Sequence, residues 1–126
     1  MNADTRFVLA ILDIDGFKNI NDTLGHDTGD EILRRVGTAI SEHFAPYECE
    51  SFRFGGDEFI LLMKNTSLSD AEKLIEELNV ALSDSNDITL SFGCCEVDFN
   101  IPNPFQAAFK TADSLMYSNK QQHHLN

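Results

Sequence analysis

Apolar residues along the chain follow the spacing of strands in some stretches and of helices in others. Residues 7–12 are all apolar and are followed by two acids, Asp13 and Asp15. A short run of this kind is typical of a strand buried on both faces, and such a strand is usually central in its sheet. Further strand patterns occur at 50–54, 58–63 and 88–97.

Helical spacing of apolar residues occurs in four stretches, at 17–24, 32–44, 74–82 and 105–116. Two capping-box patterns, Thr28 with Glu31 and Ser69 with Glu72, predict where the second and third helices begin. Residues 25–29 are expected to separate the first two helices, and residues 84–87 to form a loop. The order is strand, short helix, helix, two strands, helix, strand, helix. It predicts an α/β (α+β) sandwich with a mixed, mostly antiparallel sheet and helices outside.

The composition fits one domain over residues 1–126. The chain is 42% hydrophobic, and its ten phenylalanines are expected to supply much of the core. Its net charge of −12 argues against a nucleic-acid or anionic-membrane surface, because both require a basic patch. Three cysteines without zinc-ligand spacing indicate buried thiols in a reducing cytoplasm. We find no signal peptide, membrane-spanning run or lipidation motif, so we expect a cytoplasmic domain, which belongs in some proteins to a larger membrane-bound chain.

Two groups of acids stand at strand ends. Asp13 and Asp15 end the first strand pattern, and Asp57 and Glu58 follow the Gly-Gly pair of a predicted hairpin. Acids at a turn are usually solvated surface groups. If the two strands are neighbours, however, the carboxylates meet at one end of the sheet. Clustered carboxylates there suit Mg²⁺, which takes oxygen ligands and leaves room for phosphate oxygens.

Four polar residues lie close behind the first acids. Lys18 is placed to neutralise phosphate charge, or it is an ordinary surface lysine. Asn21, His26 and Asp30 fall within ten residues. Asn and Asp side chains can recognise a base edge, and a carboxylate matches the two adjacent N–H donors of guanine. The alternative is that Asn21 and Asp30 stabilise turns and helix starts.

Several motifs resemble those of the GGDEF family, the diguanylate cyclases. Residues 53–59 (RFGGDEF) carry the family signature, and residues 12–18 (LDIDGFK) resemble its strand-end motif. The short motifs at 21–22 (ND), 25–27 (GHD) and 29–30 (GD) resemble its base-recognition segment. Residues 89–93 (TLSFG) resemble its late strand, and Ala112-Asp113 with Tyr117 and Lys120 resembles its last helix. The motifs run in the family's order from about residue 8 to residue 120.

The resemblance implies a ferredoxin-like fold related to the polymerase palm. It implies condensation of two GTP into cyclic di-GMP across a homodimer, with Mg²⁺ or Mn²⁺. The implied metal ligands are Asp13, Asp57, Glu58 and the Ile14 carbonyl, and Glu58 is also a candidate base on the 3′-hydroxyl. Phosphate binding is implied for Lys18, Lys120 and backbone N–H groups near Gly16 and Phe17, and Gly55 and Gly56 would let the phosphates approach the backbone closely. Guanine recognition is implied for Asn21 and Asp30, with His26 nearby.

The chain departs from the family pattern in three places. Pro46 and Cys49 stand where many relatives have the ends of an Arg-x-x-Asp inhibition site, so we predict no product inhibition there. His124 replaces a common basic residue, and His123 stands where Gly is common. A family segment ahead of the first strand is absent, so we expect that an upstream sensory or dimerising region is missing from this chain. The alternative to an active cyclase is a silent GTP-binding module.

Overall fold

The computed structural model describes residues 6–125, with side chains described through residue 123. Its elements follow the order that the sequence predicts. They are β1 (Phe7–Ile14), α1 (Phe17–Leu24), α2 (His26–Phe44), β2 (Cys49–Phe54), β3 (Glu58–Lys64), α3 (Leu68–Asn86), β4 (Leu90–Glu96) and α4 (Pro104–Leu125).

The four strands form one open sheet in the order β2-β3-β1-β4. β1 is central and pairs antiparallel with β3 and β4, and β2 pairs antiparallel with β3. The α+β class and the mostly antiparallel sheet are therefore confirmed, and every described pairing is antiparallel. The burial of β1 on both faces, expected from its apolar run, is also confirmed.

Alternation along β1 divides the core between the two faces of the sheet. Val8 and Leu12 belong to the larger cluster, under α2 and α3, whereas Leu9 and Ile11 pack with α4 on the other face. Gly93 in β4 permits the close approach of α4, because a Cβ there would lie 2.1 Å from the carbonyl oxygen of Ala112. α4 therefore packs directly on β4 and on β1, the strand whose end carries Asp13.

Phenylalanine supplies less of the core than its number suggested. The largest fully buried side chains are aliphatic or methionine, and Phe52 and Phe54 are about half exposed, at 51% and 49%. Both lie on β2, an edge strand with a neighbour on one side only. Phe54 has partial cover from Phe109 of α4, with ring centroids 5.5 Å apart. Burial of the phenylalanines therefore depends on strand position, which composition does not reveal.

Both predicted capping boxes are wrong. α2 already begins at His26, because Gly25 turns the chain with φ of 91° between α1 and α2, and Thr28 instead donates to the Leu24 carbonyl. Residues 25–29 are therefore mostly helical. α3 is capped by Ser67, whose hydroxyl accepts from the N–H of Asp70 over 3.1 Å.

The predicted loop at 84–87 is also mostly helix. α3 continues to Asn86 and ends where Asp87 adopts φ of 56°, with its N–H donating to the carbonyl of Ser83. Ser85 is accommodated because its hydroxyl donates to the Ala81 carbonyl one turn earlier. None of the described helices combines the length and apolarity needed to cross a membrane.

Candidate active site

Strand register brings the two acidic groups together. Asp13 of β1 pairs with Glu58 of β3, and Asp57 is the last residue of the turn before β3. The N–H of Ile14 donates to the carbonyl of Asp57 over 3.3 Å, which ties this turn to the end of β1. Ligand oxygens of Asp13, Asp57 and Glu58 lie within 4.8 Å of one another. The predicted convergence of carboxylates is confirmed, since β1 and β3 are neighbours.

The hairpin turn is shaped by its first glycine. Gly55 has φ of 72°, a conformation that side chains with a Cβ rarely adopt. Arg53 closes the turn by donating to the Gly56 carbonyl over 3.1 Å. A Cβ at Gly55 or Gly56 would meet nothing within 4 Å, so space beside both glycines is open.

Asp13 is the buried centre of the cluster, with 4% of the residue exposed. Its Oδ2 accepts from the ammonium group of Lys120 over 2.5 Å. Its Oδ1 is also buried, and no described group hydrogen-bonds to it. A buried carboxylate oxygen without a partner is costly, and a bound cation is one way to satisfy it.

The neighbouring acids are held in an unfavourable environment for negative charge. Burial and the nearby Asp13 carboxylate raise the pKa of Asp57 to about 7, although the charge of Lys120 acts in the opposite direction. Burial and the charges of Asp13 and Asp113 also raise the pKa of Glu58. Burial is the larger cause in both cases, and the repulsion between the converging carboxylates adds to it.

Lys120 supplies the positive charge of the site. Burial alone would lower the pKa of its ammonium group, but the hydrogen bond and charge of Asp13, with Asp57 and Asp15, raise it above its ordinary value. Lys120 therefore stays charged at neutral pH. One ammonium group does not balance three carboxylates.

The donor set fits Mg²⁺ or Mn²⁺. Three carboxylates offer hard oxygen ligands, and the Asp13 Oδ1 atom has no hydrogen-bond partner among the described residues. A divalent cation would relieve the carboxylate repulsion that adds to burial in raising the pKa of Asp57. Ile14 follows Asp13 at the same strand end, and the use of its carbonyl as a ligand stays a prediction.

The α1–α2 segment carries the other predicted site residues. Asn21 packs against the buried Gly29, where a Cβ would lie 1.8 Å from Asn21 Oδ1. This contact places the Asn21 amide next to the residue that precedes Asp30. Asn21 lies inside α1 and Asp30 lies beyond the first turn of α2, and neither helix start has a side-chain cap. The alternative role of these two residues as helix-start groups is therefore not supported.

Three further predicted residues have different surroundings. The Phe17 side chain is buried in the core, so its backbone alone is free to face a ligand. Gly16, with φ of 70°, precedes α1, whose first N–H groups have no side-chain cap. Lys18 and His26 are exposed, and no hydrogen bond among the described residues connects them to the carboxylates. His124 falls outside the described side chains.

Sequence reasoning missed a second polar network beside the carboxylates. Asp15 contacts Thr89, just before β4, Ser91 in β4, and His123 near the end of α4. The Asp-x-Asp pattern and the unusual His123 were both visible in the sequence. What was missing was the docking of α4 across β1, since 108 residues separate Asp15 from His123.

Comparison with known proteins agrees with this geometry. The family model "Diguanylate cyclase, GGDEF domain" matches residues 1–126. Diguanylate cyclase DosC of Escherichia coli K12 is 36% identical over 93% of this chain, and response regulator PleD of Caulobacter vibrioides is 33% identical over 87%. This chain spans 27% and 26% of those two proteins.

A solved structure gives the same result. The GGDEF domain of DgcB from Caulobacter crescentus, determined in complex with c-di-GMP, superposes with a TM-score of 0.84 at 32% identity. The match covers 94% of this chain and 74% of that one. Sequence, fold and the acidic strand ends thus point to one family, and the chain belongs to the GGDEF domain family of diguanylate cyclases.

Proposed function

We propose that this domain condenses two GTP into cyclic di-GMP and two pyrophosphates, with Mg²⁺ or Mn²⁺, across a dimer of domains. The observation that carries the proposal is the meeting of Asp13, Asp57 and Glu58 at one strand end, with a partnerless buried oxygen on Asp13. Family membership and the intact signature at 53–59 support the same reaction. GTP is a cytoplasmic metabolite, so we place the domain's activity in the cytoplasm.

Asp13 and Asp57 would hold the metal with the Ile14 carbonyl. When bound, the ion supplies charge neutralisation and polarisation of the triphosphate. Glu58 would either bind the ion or take the proton of the 3′-hydroxyl. Because its pKa is raised, the Glu58 carboxylate is a stronger proton acceptor than an ordinary surface carboxylate.

Phosphate binding would fall to two lysines and the start of α1. Lys120 is charged and already at the carboxylates, whereas exposed Lys18 is free to swing toward a ligand. The uncapped N–H groups after Gly16, including that of Phe17, suit an anion. The open space at Gly55 and Gly56 would let the phosphates approach the backbone.

Guanine would be read by Asn21 and Asp30, with His26 nearby. The Asp30 carboxylate can accept from the two adjacent N–H donors of guanine, which adenine does not present in that arrangement. The buried Gly29 supports this assignment, because it lets the Asn21 amide pack directly against the backbone that leads into Asp30.

The reaction needs two domains that face each other. The 3′-oxygen of one GTP forms a bond to the α-phosphorus of the other, the bond from that phosphorus to the bridging oxygen breaks, and pyrophosphate leaves. The hydroxyl proton passes to a base, for which Glu58 is the candidate. Repetition in the opposite direction closes the ring, so the active species would be a homodimer.

Incubation with GTP and Mg²⁺, followed by chromatography for cyclic di-GMP, tests the proposal. The chain should be assayed at high concentration and also fused to a dimerising coiled coil, because a monomer lacks the partner site. Product in either format supports a cyclase. GTP binding without product in both formats would instead support a silent GTP-binding module.

Base recognition has its own test. Asp30→Ala should weaken GTP binding more than ATP binding, since Asp30 is assigned to the guanine edge. Equal losses for both nucleotides would contradict that assignment. The exposed Asp84 on α3 offers a matched control, as Asp84→Ala should leave both affinities unchanged.

A further inference from the structure

Asp15, to which the proposed reaction assigns no role, accepts from three side chains. Thr89 Oγ1 donates to its Oδ2 over 2.8 Å, and Ser91 Oγ donates to its Oδ1 over 2.5 Å. His123 Nδ1 lies 2.8 Å from Oδ2. Ser91 is fully buried and the Asp15 side chain is 17% exposed. The last turns of α4 are therefore held to the end of β1 by a polar contact that is buried at Ser91 and partly exposed at His123, whose side chain is 35% exposed.

The contacts of Asp15 decide which nitrogen of His123 carries a proton. A carboxylate can only accept, so the Nδ1 atom of His123 must be an N–H group. Ser91 Oγ lies 3.0 Å from the same nitrogen, and its own proton is used on Asp15. Ser91 consequently accepts from His123 and donates to Asp15. This arrangement excludes a serine nucleophile activated by His123, because that chemistry requires an unprotonated nitrogen facing the hydroxyl.

The contacts of Asp15 lie next to the Lys120–Asp13 ion pair, between the same helix and the same strand end. His123 follows Lys120 by three residues, which places both side chains on one side of α4. Asp15 follows Asp13 by two residues at the end of β1. Helix and strand end therefore meet at two successive contacts. Asn119 adds a tie to β4, since its Oδ1 accepts from the N–H of Phe92 over 2.9 Å.

We propose that the contact of His123 with Asp15 and Ser91, here named the α4 latch, positions Lys120 for phosphate binding. The latch holds the last turns of α4 against β1 without using Lys120 itself. α4 therefore keeps its place when the Lys120 ammonium leaves Asp13 for a triphosphate. This inference rests on the proposed function, because that function assigns Lys120 to the phosphates. His123 is a positioning residue and does not touch the reacting atoms.

Two substitutions separate the hydrogen bond from the ring. His123→Ala removes the donor, whereas His123→Asn keeps an N–H₂ group attached to the same Cγ position as Nδ1. Gln122→Ala, at an exposed neighbour on α4, is the matched control. Amide hydrogen exchange of residues 117–123 reports on the latch without nucleotide, and nitrogen NMR shifts of His123 report whether Nδ1 is protonated. Titration with 3′-deoxy-GTP, which lacks the attacking hydroxyl, reports on the phosphate site.

We expect a protonated Nδ1 in the wild-type chain. His123→Ala should speed exchange and weaken 3′-deoxy-GTP binding, each by roughly tenfold, as loss of a hydrogen bond to a charged group implies. His123→Asn should recover most of both losses, and Gln122→Ala should show neither. Unchanged exchange in His123→Ala would overturn the latch. Faster exchange with unchanged affinity would overturn its positioning role. If the wild-type chain bound no GTP, the proposed function would fail, while the exchange data would still decide whether the latch exists.

Discussion

The ammonium nitrogen of Lys120 lies 2.5 Å from the buried Oδ2 atom of Asp13, across a sequence separation of 107 residues. The other oxygen of Asp13 has no described partner, and Asp57 and Glu58 crowd the same end of the sheet. The Lys120 ammonium group therefore does not balance the negative charge of the three carboxylates. This imbalance is the physical basis for assigning a divalent metal to these residues.

Removing the Asp13 charge should abolish metal-dependent turnover. Asp13→Asn keeps the size of the side chain but loses its anionic oxygen ligands. We expect the rate of cyclic di-GMP formation to fall by more than about a hundredfold. Even mutation of groups that only hydrogen-bond to metal ligands typically lowers metal affinity or activity by about 10–100-fold. The measurement is product formation against Mg²⁺ concentration. Asp84→Asn, at an exposed acid on α3, is the control, and turnover retained in Asp13→Asn would contradict the metal assignment.

The metal-free protein should lose stability as pH rises from about 4 to about 7. The pKa of Asp57 is raised from 3.8 to about 7 in the fold, so the folded state holds a proton in that interval that the unfolded state has released. The contribution is therefore present at low pH and disappears as pH passes the folded-state pKa.

This pH dependence can be measured by urea unfolding in chelator at several pH values. Asp57→Asn should remove the part of the pH dependence of the unfolding free energy that comes from Asp57. Mg²⁺ should stabilise the wild-type chain more at pH 8 than at pH 5. An Asp57→Asn profile identical to that of the wild type would show that Asp57 is not the group responsible.

Gly29→Ala should disturb guanine recognition through Asn21. The new Cβ would lie 1.8 Å from Asn21 Oδ1, so the amide must move. We expect weaker GTP binding and little or no gain in stability. Gly37→Ala on the same helix is a matched control, because its Cβ would meet Phe59 at an ordinary 3.9 Å. That variant should gain up to about 1 kcal/mol from helix propensity and keep its GTP affinity. Binding isotherms and urea unfolding distinguish the two variants, and unchanged GTP affinity in Gly29→Ala would argue against the role of Asn21.

Gly93→Ala should push α4 away from β4. A Cβ at Gly93 would lie 2.1 Å from the carbonyl oxygen of Ala112 and 2.5 Å from the backbone nitrogen of Met116. Overpacking of this kind costs about 1–3 kcal/mol or more in unfolding free energy. Since α4 also carries Lys120, GTP affinity should fall with stability. Urea unfolding and nucleotide titration check both effects, and a variant of wild-type stability would contradict the close packing of α4.

Added cyclic di-GMP should leave initial rates nearly unchanged. Pro46 and Cys49 occupy the ends of the segment where many GGDEF domains have an Arg-x-x-Asp site. Burial and the charge of Glu50 raise the pKa of Cys49 to about 11, so its thiol is neutral and does not replace a carboxylate. Rate measurements over a range of product concentrations test this. Strong non-competitive inhibition would reveal an inhibitory site elsewhere.

The sequence by itself determined the order of elements and the chemistry at strand ends. An apolar run such as residues 7–12 is long enough to specify a buried strand locally, and Gly55 marks the hairpin because few other residues tolerate its φ. Helix starts were predicted less well, because Ser67 and Ser69 each have an acid three residues on, and it is Ser67 that caps α3.

The tertiary structure decided which distant residues meet. Sequence could offer Asp13 and Asp57 as acids at two strand ends, but the placement of β1 between β3 and β4 made them neighbours. The pairing of Lys120 with Asp13 and of His123 with Asp15 depends on α4 lying across the sheet, which the missing side chain of Gly93 permits. Local pattern specifies each element, whereas strand order and helix docking depend on packing between elements far apart in the chain. The carboxylates at the end of β1 become part of a charged site only through that packing.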